Sequence, residues 1–196
     1  MSRIAFVDRS WTEGQDNMPG LVGPCYFIAK SGVDLSACTI EDDGVTLTGN
    51  IALTASGKII EIYATENASS SADADQGDID GKYAQHTLTF FTPGSDKILE
   101  SQKRALRNTP GIWIYKDTNF NFRVAGIWAA ENPKWEGEAD VVNDRFVASL
   151  DMPARVSTMN GTSGTRGGDR KGTIFEIISD APHAPLFMDG DLPVNA

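Results

Sequence analysis

The chain has 196 residues, 40% hydrophobic and 22% charged, which describes a globular domain of useful size and excludes an intrinsically disordered segment. Its formal net charge of −10 argues against tight nucleic-acid binding, which needs clustered Lys and Arg to displace counterions from phosphates. No apolar run is long enough for a transmembrane helix. The apolar stretch in MSRIAFVDRSW is too short for a signal peptide, so synthesis and retention in a cytoplasm are expected.

In chain order, residues 1–24 gather Gly14, Pro19, Gly20, Gly23 and Pro24 and predict an extended arm ahead of a single β domain over 25–181. Cys25 to Lys30 reads as a short strand. Cys25 and Cys38 are the only cysteines, and without a secretion signal they are expected to be reduced, partly buried thiols. Val45–Leu53 and Lys58–Thr65 read as two strands joined at Ala55-Ser56-Gly57 in a hairpin, with Ile60, Ile62 and Ala64 on one face. Glu66–Gly81, ENASSSADADQGDIDG, is polar, acidic and low in complexity, and predicts a long loop. The chain returns as a strand over Lys82–Phe91, where Leu88 and Phe90 alternate with Thr87 and Thr89.

A helix follows near 96–107. Ser95 or Asp96 can cap it, because a short side-chain oxygen accepts from the free amides of the first turn, and Pro110 ends it. The spacing puts Ile98, Leu99, Ala105 and Leu106 on one face, with Lys97, Glu100, Lys103, Arg104 and Arg107 mostly opposite. Gly111–Lys116, the turn Asp117-Thr118-Asn119 and Phe122–Trp128 predict a second hairpin. Glu131–Asp144 is an acidic connection containing Pro133 and Trp135. Arg145–Met152 alternates, with Phe146, Ala148, Leu150 and Met152 facing one way. A glycine-rich stretch over Asn160–Gly172 precedes a last strand at Thr173–Ser179, and residues 182–196, with Pro182, Pro185 and Pro193, predict an extended tail. Together these elements predict a mainly β fold, an antiparallel β-sandwich or partly open barrel with one flanking α-helix.

Few motifs carry chemistry. Asp73, Asp75, Asp78 and Asp80 offer hard oxygen donors, but the EF-hand spacing fails. Counting from Asp73, Asp78 falls where glycine is required and Ala84 where a bidentate acid is required. The stretch GTSGTRGGDRKG suggests a phosphate cradle, yet it lacks the Gly-Lys-Ser/Thr ending and leads into a strand instead of a helix. It reads as a wide strand connection. His86 and His183 come with no nucleophile–base pattern, and two histidines with two cysteines do not make a zinc spacing. No catalytic, cofactor-binding or metal-ligating residue is assigned, and no enzyme is expected. Trp11, Trp113, Trp128 and Trp135 could serve carbohydrate binding if exposed, but Trp113 and Trp128 sit in strands and read as core.

Three stretches carry a resemblance. KIIEIYATENASSSADADQGDIDGKYAQHTLTFFTPG, DKILESQKRALRNTPGIWIYKDTNFNFRVAGI and TMNGTSGTRGGDRKGTIFEIISDAPHAPLFMDG together span Lys58 to Gly190. In their order of strand, long loop, strand, helix, hairpin and glycine-rich approach to a closing strand, they resemble the bacteriophage tail tube (major tail) protein family. The resemblance implies a virion structural protein without enzymatic activity or cofactor, made in a bacterial cytoplasm and built into the tail. It implies hexameric rings stacked into a tube, with four strands of each subunit lining the lumen, the helix outside and the long loop reaching the adjoining ring. Implied partners are further copies of the chain and other tail proteins, such as the tape measure, the terminator and, in contractile tails, the sheath. DNA would pass through without tight binding, and no membrane is involved. On this reading Asp73, Asp75, Asp78 and Asp80 belong to the inter-ring contact loop. Glu61, Asp151 and Glu176, placed in strands with alternation pointing them away from the core, become lumen-facing acids that repel phosphates. The alternatives are a related virion component (neck, tail-terminator, connector or capsid decoration protein) and a β-sandwich carbohydrate-binding module.

Overall fold

The run Gly111–Lys116 is apolar at consecutive positions. The computed structural model buries it from both sides, with Ile112, Trp113 and Ile114 at 0% exposure. A strand apolar on both faces needs a layer above and a layer below. Both layers are present among the described residues, which are 20–66, 68–78, 80–132, 145–163 and 170–194.

The elements are β1 (Cys25–Ala29), β2 (Val33–Asp34), β3 (Thr39–Ile40), β4 (Thr46–Thr48), β5 (Ala52–Leu53), β6 (Ile59–Ile62), β7 (Ser70–Gln76) and β8 (Tyr83–Pro93). They continue with α1 (Lys97–Leu106), β9 (Gly111–Lys116), β10 (Phe122–Ala125), β11 (Trp128–Glu131), β12 (Phe146–Ser149), β13 (Arg155–Thr162), β14 (Gly172–Ala181) and β15 (Leu186–Asp189). A seven-stranded sheet of order β3-β4-β15-β10-β9-β1-β6 forms the middle layer. A four-stranded sheet, β13-β14-β8-β7, packs on one side of it, and the small pairs β2-β5 and β11-β12 carry residues that pack on the other. All pairings are antiparallel except β15 with β4. The fold is a mainly β sandwich with one helix.

Two apolar clusters follow from this layering. Phe27, Trp113 and Tyr115 of the seven-stranded sheet meet Leu88, Phe90, Phe175 and Ile177 of the four-stranded sheet. Phe90 and Phe175 stack with centroids 5.0 Å apart, and Phe27 lies tilted on Trp113 at 5.0 Å. On the other face, Ile28, Ile112, Ile114, Val124 and Leu186 pack with Val33, Ile51 and Phe146. Each large side chain buried in this way contributes on the order of 1.5–3 kcal/mol. Helix α1 is capped by Asp96, whose Oδ1 accepts from the Leu99 amide at 2.7 Å, and its Leu99 and Leu106 join the first cluster.

Several expectations need correction. Ile98 does not share the buried helix face; it is 71% exposed. The strands flanking Ala55-Ser56-Gly57 form no hairpin, because β5 pairs with β2 while β6 pairs with β1. The chain crosses between layers there at a glycine–glycine contact: a Cβ on Gly57 would lie 2.3 Å from the Gly32 carbonyl oxygen, so neither position has room for a side chain. Glu66–Gly81 is not one long loop, since Ser70–Gln76 pairs residue for residue with β8. Strand β12 ends at Ser149, where Oγ bonds to Asp151 and turns the chain, so Asp151 and Met152 leave the alternation. Beyond residue 181 the chain is more than an extended tail: β15 lies between β4 and β10. Of the N-terminal arm, residues 1–19 with Trp11 lie outside the described residues, and Leu21 is buried beside Asp117. Pro133 and Trp135 also lie outside them.

Candidate functional site

The acids of the expected contact loop fall into two sets. Asp73 and Asp75 project from β7 opposite His86 and Ala84, toward the side that faces the seven-stranded sheet. Asp78 and Asp80 sit in the exposed turn to β8, which is closed by a bond from the Gly81 amide to the Asp78 carbonyl. Only Asp73 is drawn inward. Its Oδ1 lies 2.6 Å from His86 Nδ1, and His86 Nε2 lies 3.1 Å from the Tyr115 hydroxyl. This carboxylate–imidazole–phenol row starts at the edge strand of one sheet and ends inside the other. Burial holds the Tyr115 phenol well above its ordinary range, although Arg123 and a hydrogen bond with Ser71 pull the other way. Among the described residues, no three His, Cys, Asp or Glu side chains converge as a metal site would require.

The three acids expected at a lumen wall occupy three different places. Glu61 is exposed on β6, an edge of the seven-stranded sheet, opposite Tyr26. Asp151 is in the turn after β12. Glu176 is half-buried on the outer face of the four-stranded sheet, between Thr89 and Thr158. Alternation correctly pointed Glu61 and Glu176 away from the core between the sheets, but it could not say that they belong to different sheets.

The other singled-out residues are structural. Trp113 is fully buried and Trp128 half-buried. His183 accepts from the Ala129 amide at Nε2 and donates from Nδ1 to the Ala184 carbonyl, which fastens the chain before β15 to β11. Cys25 is a buried thiol that burial pushes up to about 12, and Cys38 is raised by burial and then by Asp34; neither is paired.

Sequence reasoning missed β7 and β13, and with them the exposed surface that the fold makes most of. Among the described residues, the four-stranded sheet ends in β7 on one side and β13 on the other, and neither carries a further strand. Its outer face presents Ala72, Ala74, Thr87, Thr89, Glu176 and Thr158 in register. The rows mix small and hydroxylic residues with Ile174, Ile178 and Arg155 on β14 and β13. The strict Ala/Asp alternation at 72–75 was the signal available for β7.

The chain matches no family model, no curated protein and no solved structure. The class defined by the fold is therefore a three-layer β-sandwich with one capped helix. Among the described residues no helix is long and apolar enough to cross a membrane.

Proposed function

We propose that the chain is a structural subunit of a phage tail tube, a non-enzymatic protein that assembles into stacked rings forming the conduit for genome delivery. The observation that carries this reading is the four-stranded sheet, whose two edges carry no further strand among the described residues. Unpaired edges attract other strands, and natural proteins either protect them or use them for assembly. Strand β7 has no proline and no bulge in its pairing with β8, so nothing in its backbone blocks a further strand. Joining β7 of one copy to β13 of the next continues the sheet, and a repeated rotation closes it. Six such four-stranded sheets, at about 4.8 Å per strand, would make a wall roughly 115 Å in circumference before strand tilt widens it.

On this arrangement the threonine-rich outer face lines the lumen. It carries the acid Glu176 and, at its margin, Asp180, together with the cation Arg155 opposite Ile178. With two acids to one cation, such a wall lacks the clustered cations that would hold phosphates by counterion release. Helix α1, which packs from the inner side, lies away from the lumen. The turn with Asp78 and Asp80 projects from one end of β8, where a stacked ring would sit.

Negative-stain microscopy of the purified protein tests the reading. Rings or tubes are expected. Light scattering that finds only monomer at high concentration, with no rings on the grid, would overturn it.

A further inference from the structure

Strand β8 is 11 residues long, so its two ends stand roughly 35 Å apart. At its start lies a mostly apolar groove of about 340 Å³, lined by Lys82, Tyr83, Met152, Asp180, Ala181 and Pro182. Tyr83 and Met152 belong to the exposed large apolar side chains of the fold. At the other end of β8, Pro93 and Gly94 lead into helix α1, and Ile98 stands on its first turn. Among the described large apolar side chains only Val194 is more exposed than Ile98.

Ile98 is part of a stripe. At about 100° per residue, Ile98, Ser101, Gln102 and Ala105 share one outward face of α1, and that face carries no charge. Leu99 and Leu106 are turned from it toward the core, while Lys97 and Arg104 border it on the opposite side. The two ends of β8 also differ in charge. Around the groove, Asp78 and Asp80 occupy the adjoining turn, and Asp180 is held by the neutral Gln85 amide at 3.0 Å instead of by a cation. These acids outnumber Lys82. At the helix end the acids are engaged, since Asp96 caps the helix and Glu100 pairs with Lys103 at 2.9 Å. Lys97, Arg104, Arg170 and Lys171 give that end a cationic surplus.

We propose that the Ile98 stripe of α1 docks into the Tyr83–Met152–Pro182 groove of a second copy, head to tail, with Lys97 beside Asp180 of that copy. The inference rests on the stacked-ring reading and supplies the contact between rings. A projecting side chain and a groove at different ends of one chain make a heterologous contact, which repeats along an axis instead of closing on itself. Opposite charge around the two surfaces sets the direction, because groove against groove or helix against helix would bring like charges together.

The test is disulfide trapping between two full-length variants, Ile98→Cys and Met152→Cys. Both also carry Cys38→Ala, so that the buried Cys25 is the one native thiol left. Residues 98 and 152 are exposed, so both variants should fold. Mixed under a mild oxidant, they are expected to give a covalent dimer that neither gives alone. Lys97→Glu in the first chain should reduce trapping, and Asp180→Lys in the second should restore it. Ile98→Asp should weaken self-association measured by light scattering by about tenfold or more. Rings that form without trapping between 98 and 152, or trapping as strong within each variant alone, overturn this contact and leave the ring reading standing. Trapped head-to-tail chains with no rings on the grid support the contact and overturn the ring reading. Monomer throughout overturns both.

Discussion

His86 and Tyr115 join the two principal sheets through a 3.1 Å hydrogen bond, with their rings nearly parallel and centroids 5.6 Å apart. A neutral imidazole satisfies the whole row: Nδ1–H donates to Asp73, and Nε2 accepts from the phenol. Tyr115→Phe removes the donor and leaves a buried ring nitrogen unpaired. Stability is expected to fall by about 1–3 kcal/mol, read from urea unfolding. An unchanged midpoint would mean that the bond adds nothing to the sheet–sheet contact.

Alkaline pH should weaken the fold from within. Burial raises the Cys25 thiol from 9.0 to about 12 and the Tyr115 phenol above its ordinary 10.0. The folded chain then holds protons that the unfolded chain has released. Stability from these groups is complete below about pH 9 and is lost as pH rises toward the folded values, at up to about 1.4 kcal/mol per pH unit for each group. Urea midpoints between pH 7 and 11 should decline in the wild type and decline less steeply in Cys25→Ala. A thiol reagent at pH 8 should label Cys38 well before Cys25.

The helix offers a contrast between adjacent residues. Leu99 is 6% exposed and Ile98 71% exposed. Leu99→Ala should cost about 2–5 kcal/mol, whereas Ile98→Lys should stay within about 0.5 kcal/mol. Asp96→Ala, which deletes the cap, should fall between them at about 1 kcal/mol. Thermal unfolding of the three variants checks the order, and equal losses at 98 and 99 would contradict the assigned face.

If the four-stranded sheet is a lumen wall, the three acids should separate in function. Glu176→Lys is expected to slow genome release from assembled particles at low salt. Glu61→Lys and Asp151→Lys, on other surfaces, should leave the rate unchanged. The Glu176→Lys effect should fade as the Debye length shrinks from about 30 Å at 0.01 M salt to about 8 Å at 0.15 M. Slowing by Glu61→Lys alone would place the wall on the seven-stranded sheet.

What could be read from the sequence was local. The cap at Ser95 or Asp96, which the structure settles on Asp96, the Leu88/Phe90 alternation and the turn at Asp117-Thr118-Asn119 each follow from neighbours along the chain, and each stands in the structure. The misplaced elements depend on partners far away. Strand β7 has no large apolar residue; it is held by pairing with β8 and by Asp73 reaching His86. Strand β6 chose β1 over its sequence neighbour because Gly32 and Gly57 allow two backbones to cross at contact distance. Gly111–Lys116 was expected only as one strand of a hairpin; its burial on both faces depends on layers built from strands far along the chain.

Strand β15 is an interior plank of the seven-stranded sheet, hydrogen-bonded to β10 on one side and to β4 on the other. On the ribosome, residues 186–189 emerge long after both of these neighbours. Until they arrive, β4 and β10 cannot be joined, and a nascent chain holds two open seams where the finished subunit has none. This sheet therefore cannot be completed until residue 189 has emerged, and a chain released before Leu186 would offer those seams to its neighbours instead of the edges the completed sheet presents.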